Sequence, residues 1–223
     1  LLGTIRNEYL NVKHFIKSDV SISNAINNCI NICKNVYIPK GDYVISERII
    51  LKPYTHIYGD GIGKTIIIAS DSILTESREF TMCGPTNLSD NFEINDIEFK
   101  NKCKGWPNYG FDNGAKTSWC IVFPGGCNNI NIHNCKFSNA TGGVYVHNNS
   151  SYIRITNCVF SDMIAIPTNH TVPLSGTAGG YGVILDADNS SGEDIGKIKD
   201  VVISHCEFIH IQRHIIYSQY VED

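Results

Sequence analysis

Charged residues make up only 18% of the 223 positions, and Lys and Arg nowhere form a run. With a net charge of −4 and a pI near 6.1, this excludes a surface built to track nucleic-acid phosphates. Apolar runs are short: none approaches the ~18 residues that a membrane-spanning helix needs, so membrane insertion is not expected. No signal-peptide pattern opens the chain. No CxxC pair occurs among the nine cysteines. An odd total without a pairing pattern fits free thiols, and zinc is not expected. A phosphate loop is also missing. Gly59-Asp60-Gly61-Ile62-Gly63-Lys64-Thr65 has one residue too few before its Gly-Lys pair, and strand-forming Ile66-Ile67-Ile68 follows where a helix would be needed. The chain begins on Leu rather than Met, which reads as a trimmed start. It stops at Tyr220-Val221-Glu222-Asp223 just after a strand, which reads as a coil without its closing cap.

What the chain does contain is a phrase written four times. Ile94-Asn95-Asp96-Ile97-Glu98-Phe99 returns as Ile132-His133-Asn134-Cys135-Lys136-Phe137. It returns again as Ile155-Thr156-Asn157-Cys158-Val159-Phe160 and as Ile203-Ser204-His205-Cys206-Glu207-Phe208. The third position is a polar residue suited to a left-handed corner. A second short strand follows each copy, at 120–123, 143–146, 182–185 and 214–217. Repeats of this kind mark units that bury their apolar face only by stacking, here as parallel β-rungs. Cys135, Cys158 and Cys206 share one inward column, where Cys acts as a small hydrophobe.

The spacing locates insertions. The shortest repeat step, Ile132 to Ile155, is about the minimum for a three-sided rung. The longer steps carry extra residues at one corner, 102–118 and 163–180, and a third insertion covers 187–200. Two long loops flanking a low rung predict a cleft on that side of the solenoid.

Upstream, Ile22, Ala25, Ile26, Cys29, Ile30 and Cys33 form one apolar helical stripe, predicting a helix over about 21–34 that caps the coil. We divide the chain into 1–53, the cap with the first strands, and 54–223, the rungs. Asn11-Val12-Lys13-His14-Phe15, the helix with Ala25-Ile26, the run from Val36 to Ile45 and Tyr58-Gly59-Asp60-Gly61 resemble the opening of pectin-lyase-like right-handed parallel β-helices. The nearest branch is that of bacteriophage tailspikes and polysaccharide depolymerases. The resemblance implies an all-β fold, a single-stranded right-handed parallel β-helix of about five rungs with an N-terminal helical cap. It implies binding and cleavage of a surface polysaccharide, a homotrimer, and a place on a virion tail or else outside the cell. Two alternatives stand beside it: a non-catalytic receptor-binding fibre, and a cellular pectate-lyase-like lyase or epimerase. No cofactor is expected, except calcium if the chain is a lyase.

Alternation along the strands assigns the outward residues. Tyr145 and His147 face out, as do Ile184 and Asp186, with Ile216 and Ser218 on the last rung. Rung stacking then sets His147 beside Asp186. Hydrolysis of a glycoside needs two carboxyl groups, for which Asp186 with Asp162 or Asp188 are candidates. Elimination from a uronic acid needs a base and a positive charge, for which His147 and Arg213 qualify. The catalytic candidates are therefore Asp186, His147, Asp188 and Asp162. Candidates for substrate contact are Tyr145, the loop aromatics Trp106 and Tyr109, His170 and Arg213. Outward Val122, Val159, Ile184, Val202 and Ile216 predict burial by subunit association.

Overall fold

The computed structural model describes residues 9–70, 73, 79–85, 89–103, 118–167, 177–187, 196–219 and 221–222. A two-residue strand β1 (Leu10–Asn11) and a 3-10 turn (Val12–His14) come first. Helix α1 (Ile22–Ile32) begins where the Ser21 hydroxyl accepts the Asn24 N–H at 3.2 Å. The coil follows. Its first turn is β2 (Asn35–Tyr37), β3 (Gly41–Ile45) and β4 (Ile49–Ile50). Its second is β5 (His56–Tyr58), β6 (Thr65–Ala69) and β7 (Glu79–Cys83). The third is β8 (Ser89–Asn95), β9 (Glu98–Lys100) and β10 (Ser118–Phe123). The fourth is β11 (Cys127–His133), β12 (Lys136–Ala140) and β13 (Gly142–His147). In the fifth, β14 (Ser151–Thr156) and β15 (Val159–Met163) lead into an antiparallel pair, β16 (Ala165–Pro167) and β17 (Thr177–Gly179), before β18 (Tyr181–Asp186). The sixth is β19 (Ile198–Ser204), β20 (Glu207–Ile211) and β21 (His214–Gln219), and β22 (Val221–Glu222) comes after it.

Each turn contributes one strand to each of three parallel sheets. The first sheet runs β1-β2-β5-β8-β11-β14-β19-β22, the second β3-β6-β9-β12-β15-β20, the third β4-β7-β10-β13-β18-β21. The architecture is a parallel β-helix with six complete turns against the expected five or so, because β2–β4 already form a full one. The four copies of the repeated phrase lie in register: Ile94, Ile132, Ile155 and Ile203 in the first sheet, and Phe99, Phe137, Phe160 and Phe208 in the second. The phenyl rings stack along the axis at 5.4, 4.9 and 5.0 Å. Beside them, each thiol of Cys135, Cys158 and Cys206 lies within 3.6–3.7 Å of a carbonyl oxygen one rung back. All nine cysteines are free thiols.

The corners follow from the choice of residue. Asp96, Asn134, Asn157 and His205, third in each phrase, all have φ between 53° and 58°. The corner leaving the second sheet repeats the device with Asn139, Asp162 and His210. These are residue types that accept left-handed backbone at small cost. The Gly59-Asp60-Gly61 segment is a corner too. Asp60 accepts the Tyr37 hydroxyl at 2.7 Å and the Lys40 N–H at 2.6 Å, so its carboxylate ties two rungs together.

Helix α1 turns Ala25, Ile26, Cys29 and Ile30 into the common core. The Asn27 side-chain amide donates to the Arg48 carbonyl and accepts the Ile50 N–H, both at 2.9 Å. It thus pairs with β4, the edge strand of the third sheet, much as a neighbouring strand would. Among the described residues no helix is long and apolar enough to cross a membrane.

Candidate functional site

The third sheet departs from simple alternation, and the departure builds the site. In β10, Cys120 and Ile121 both point into the core. Gly143–Val144 and Gly182–Val183 sit at the corresponding positions of β13 and β18. Two consecutive inward residues bend each strand, so the residues flanking the bend both face out. Trp119 and Val122 do so in β10, Tyr181 and Ile184 in β18, and these four pack as a small outer cluster under Tyr145 and Tyr217.

Trp119 lies across the backbone of Gly142, a position where any Cβ would enter the indole. Its ring is 5.0 Å from that of Tyr145 and 6.0 Å from that of Tyr181. Tyr181 continues the surface to His214 at 5.6 Å and Tyr217 at 5.9 Å, with the Arg213 guanidinium 5.1 Å above its ring. Burial is the main reason its phenol is held above the usual value, with Arg213 pulling the other way. Along one border of this aromatic floor, His147, Asp186 and Gln219 occupy successive rungs. Tyr145 donates its hydroxyl to Asp186 Oδ2 at 2.9 Å and stacks on the His147 ring at 4.0 Å. Tyr217 donates to Gln219 Oε1, also at 2.9 Å.

The face therefore combines a broad apolar floor with a border of proton-transfer groups and a cation. Stacked rings suit the apolar faces of pyranoses, and a Tyr, a His and a carboxylate in contact can move protons. Asp186 supplies a carboxylate at this border, and no described group of three or more His, Cys, Asp or Glu could hold a metal ion.

Of the residues anticipated from sequence, Tyr145, His147, Asp186 and Arg213 come together here. Asp162 does not: it sits in β15 of the second sheet, 3.1 Å from the His210 ring. Asp188, Trp106, Tyr109 and His170 lie outside the described residues, as do the tips of all three insertions and hence the expected cleft.

The expectation that Ile216 and Ser218 face outward is overturned. His214 pairs with Tyr181 and Ile216 with Val183, so Ile216 and Ser218 face inward and Tyr217 and Gln219 outward. The corner after Phe208 is one residue longer than the corner after Phe137, and a one-residue slip reverses every side chain of the strand. Val122 and Ile184 do face outward as expected, but each is only 6% exposed because the aromatic residues beside them cover them. Sequence reasoning missed Trp119, Tyr181, His214, Tyr217 and Gln219. The signal available was the Gly142–Gly143 pair, which leaves room for a ring outside and a ring inside the sheet.

Three parallel sheets wound into one coil define a parallel β-helix protein, here with an aromatic cluster on the outer side of its third sheet. A family model described as rhamnogalacturonase A/epimerase, pectate lyase-like, matches residues 11–160, and the chain belongs to this family. It is 28% identical over 120 residues to the Arabidopsis thaliana protein named "Probable pectinesterase/pectinesterase inhibitor 17", a match covering 53% of this chain and 21% of that one. Among solved structures, PfbA, a surface adhesin of Streptococcus pneumoniae, superimposes with a TM-score of 0.71 at 17% identity, covering 89% of this chain and 48% of the adhesin. The mannuronan C-5 epimerase AlgE6 A-module of Azotobacter vinelandii gives a TM-score of 0.47 at 12% identity, with 95% and 56% coverage. The chain thus spans about a fifth of the plant protein and about half of the adhesin.

Proposed function

We propose that this chain binds a polysaccharide across the outer face of the third sheet and cleaves it there. The observation carrying the proposal is the Tyr145–Asp186 hydrogen bond at the border of the Trp119–Tyr181 floor, with His147 stacked on the same tyrosine. Membership of the rhamnogalacturonase A/epimerase family and the plant relative's name agree with a polysaccharide as substrate.

Within this reading, β-elimination from a uronic acid suits the described groups best. His147 takes the C5 proton, and the C4–O bond breaks to leave a C4–C5 double bond. The Tyr145 hydroxyl turns its proton from Asp186 to the departing oxygen and protonates it, and Arg213 balances the uronate carboxylate. Hydrolysis is the second reading; it would pair Asp186 with Asp188, two residues further along the chain. The finer parts of the proposal are a tailspike-like role, an N-terminal cap formed by α1, and association into a homotrimer that covers apolar residues such as Val202, 41% exposed.

The test is incubation with polygalacturonate, alginate and bacterial capsular polysaccharides, following reducing ends and unsaturated-uronate absorbance together. Both signals should rise, and the Asp186→Asn variant should lose both while still retaining polymer. Reducing ends alone would move the chemistry to the two carboxylates. A polymer bound but never cut would leave an adhesin.

A further inference from the structure

The first sheet has a corner column of its own, made by Tyr54, Asn91, Asn129, Tyr152 and Asp200, with φ between 53° and 65°. Every other described non-glycine residue with positive φ is Asn, Asp or His; Tyr54 and Tyr152 are the exceptions. A ring-bearing side chain pays a steric penalty in this conformation that Asn and Asp largely escape. Packing does not repay it, because the two tyrosines are 58% and 53% exposed. The fold requires only a left-handed residue here, and Asn91 and Asn129 meet that need in the same column. The tyrosine side chains therefore answer to something outside the fold.

We propose that Tyr54 and Tyr152 form a second glycan-binding site, on a sheet separate from the cleavage face, holding a polysaccharide chain along the coil axis. The inference rests on the reading that this protein binds polysaccharide. An exposed phenol on a fixed corner offers a flat apolar face and a hydroxyl, the pairing that suits one face of a pyranose. The corner is fixed by the strands beside it. Ser151 donates to the Asn128 side-chain oxygen at 2.6 Å, and the Asn128 amide donates to Asp90 at 3.0 Å. Three rung steps separate the two rings, roughly 14 Å at the spacing of parallel strands, a span that a short run of sugars covers. The amides of Asn91 and Asn129 lie between as hydrogen-bonding groups.

The test uses the whole chain and affinity electrophoresis through gels containing polygalacturonate, alginate or a capsular polysaccharide. The double variant Tyr54→Asn/Tyr152→Asn should bind the retained polymer about tenfold more weakly, since two stacking contacts are lost. Its Tm should be equal or higher, because Asn relieves the backbone, and its kcat on short oligosaccharides should be unchanged. Tyr54→Phe/Tyr152→Phe should keep most of the retention. Unaltered retention of the Asn pair overturns the proposal, as does a fall in its Tm large enough to account for the lost binding. If the unmodified protein neither retains nor cuts any polymer, the polysaccharide reading fails and this site with it. If it cuts normally and only the tyrosine variants show no effect, this proposal alone fails.

Discussion

Replacing Gly142 by Ala tests how the backbone builds the aromatic floor. An added Cβ would enter the Trp119 indole near Cε3, Cζ3 and Cη2. Carbon atoms in contact prefer 3.5–4.0 Å, so the ring must retreat by on the order of 1–2 Å or take another rotamer. Trp119 is 8% exposed and touches Tyr145 and Tyr181, so either response disturbs the surface that presents the Tyr145 hydroxyl to Asp186. Overpacking of this kind costs about 1–3 kcal/mol. For a domain of this length, a cost of about 2 kcal/mol corresponds to a Tm lowered by roughly 4–8 °C. In a Trp106→Phe background the remaining indole reports alone, and its emission should shift red as it loses its cover. Cleavage should fall alongside. The neighbouring Gly143→Ala change instead drives a Cβ to 2.5 Å from the Phe160 ring inside the coil. It should lower Tm while leaving Trp119 emission in place. An unchanged Tm and unchanged emission for Gly142→Ala would refute this account of the floor.

Further expectations follow from the core and the corners. Phe160→Ala removes a fully buried ring stacked between Phe137 and Phe208, and urea unfolding should show a loss of about 3–5 kcal/mol. A loss below 1 kcal/mol would mean that the ladder carries little. Burial pushes the thiols of Cys29 and Cys127 up to about 12, and contact with Cys135 together with burial does the same for Cys158. The thiolate is the reactive form, so at pH 8 these residues should label only on unfolding, whereas rapid labelling of the folded protein would contradict their placement. The Tyr37 hydroxyl and the Lys40 N–H hold Asp60 below its ordinary 3.8. Its folded pKa is depressed, so the stabilisation is present above the unfolded value and is lost as pH falls through the folded one. Carboxyl NMR titration should show Asp60 moving up towards 3.8 in Tyr37→Phe, and an unmoved midpoint would remove the hydrogen bond as the cause.

Much of the fold was legible because each rung repeats the same few physical demands. An Ile and a Phe must point inward on either side of a left-handed corner, so Ile94 through Phe99 and its three copies reveal themselves by spacing. His147 and Asp186 were placed side by side for the same reason, since parallel rungs carry register from one turn to the next. Two local irregularities hid the rest of the site. Consecutive inward residues such as Cys120 and Ile121 break the alternation that a strand pattern relies on, which concealed Trp119 and Tyr181. The longer corner before His214 shifted the last strand by one, which exchanged Ile216 and Ser218 for Tyr217 and Gln219. Val122 and Ile184 looked like an association surface because their cover comes from neighbouring rungs, which no pattern along a single strand contains. Asp162 was legible as a corner residue, but its place on the second sheet beside His210, away from Asp186, depends on which sheet each corner joins.

The central claim is that polysaccharide lies on the outer face of the third sheet. Hydroxyl-radical footprinting of the Asp186→Asn protein, with and without the polymer that the unmodified protein cuts, tests it most directly. The account predicts that Tyr145, His147, His214 and Tyr217 become protected together when polymer is bound, while residues such as His210 on the second sheet react as before. Protection confined to the second sheet, with those four side chains still reacting freely, would contradict it.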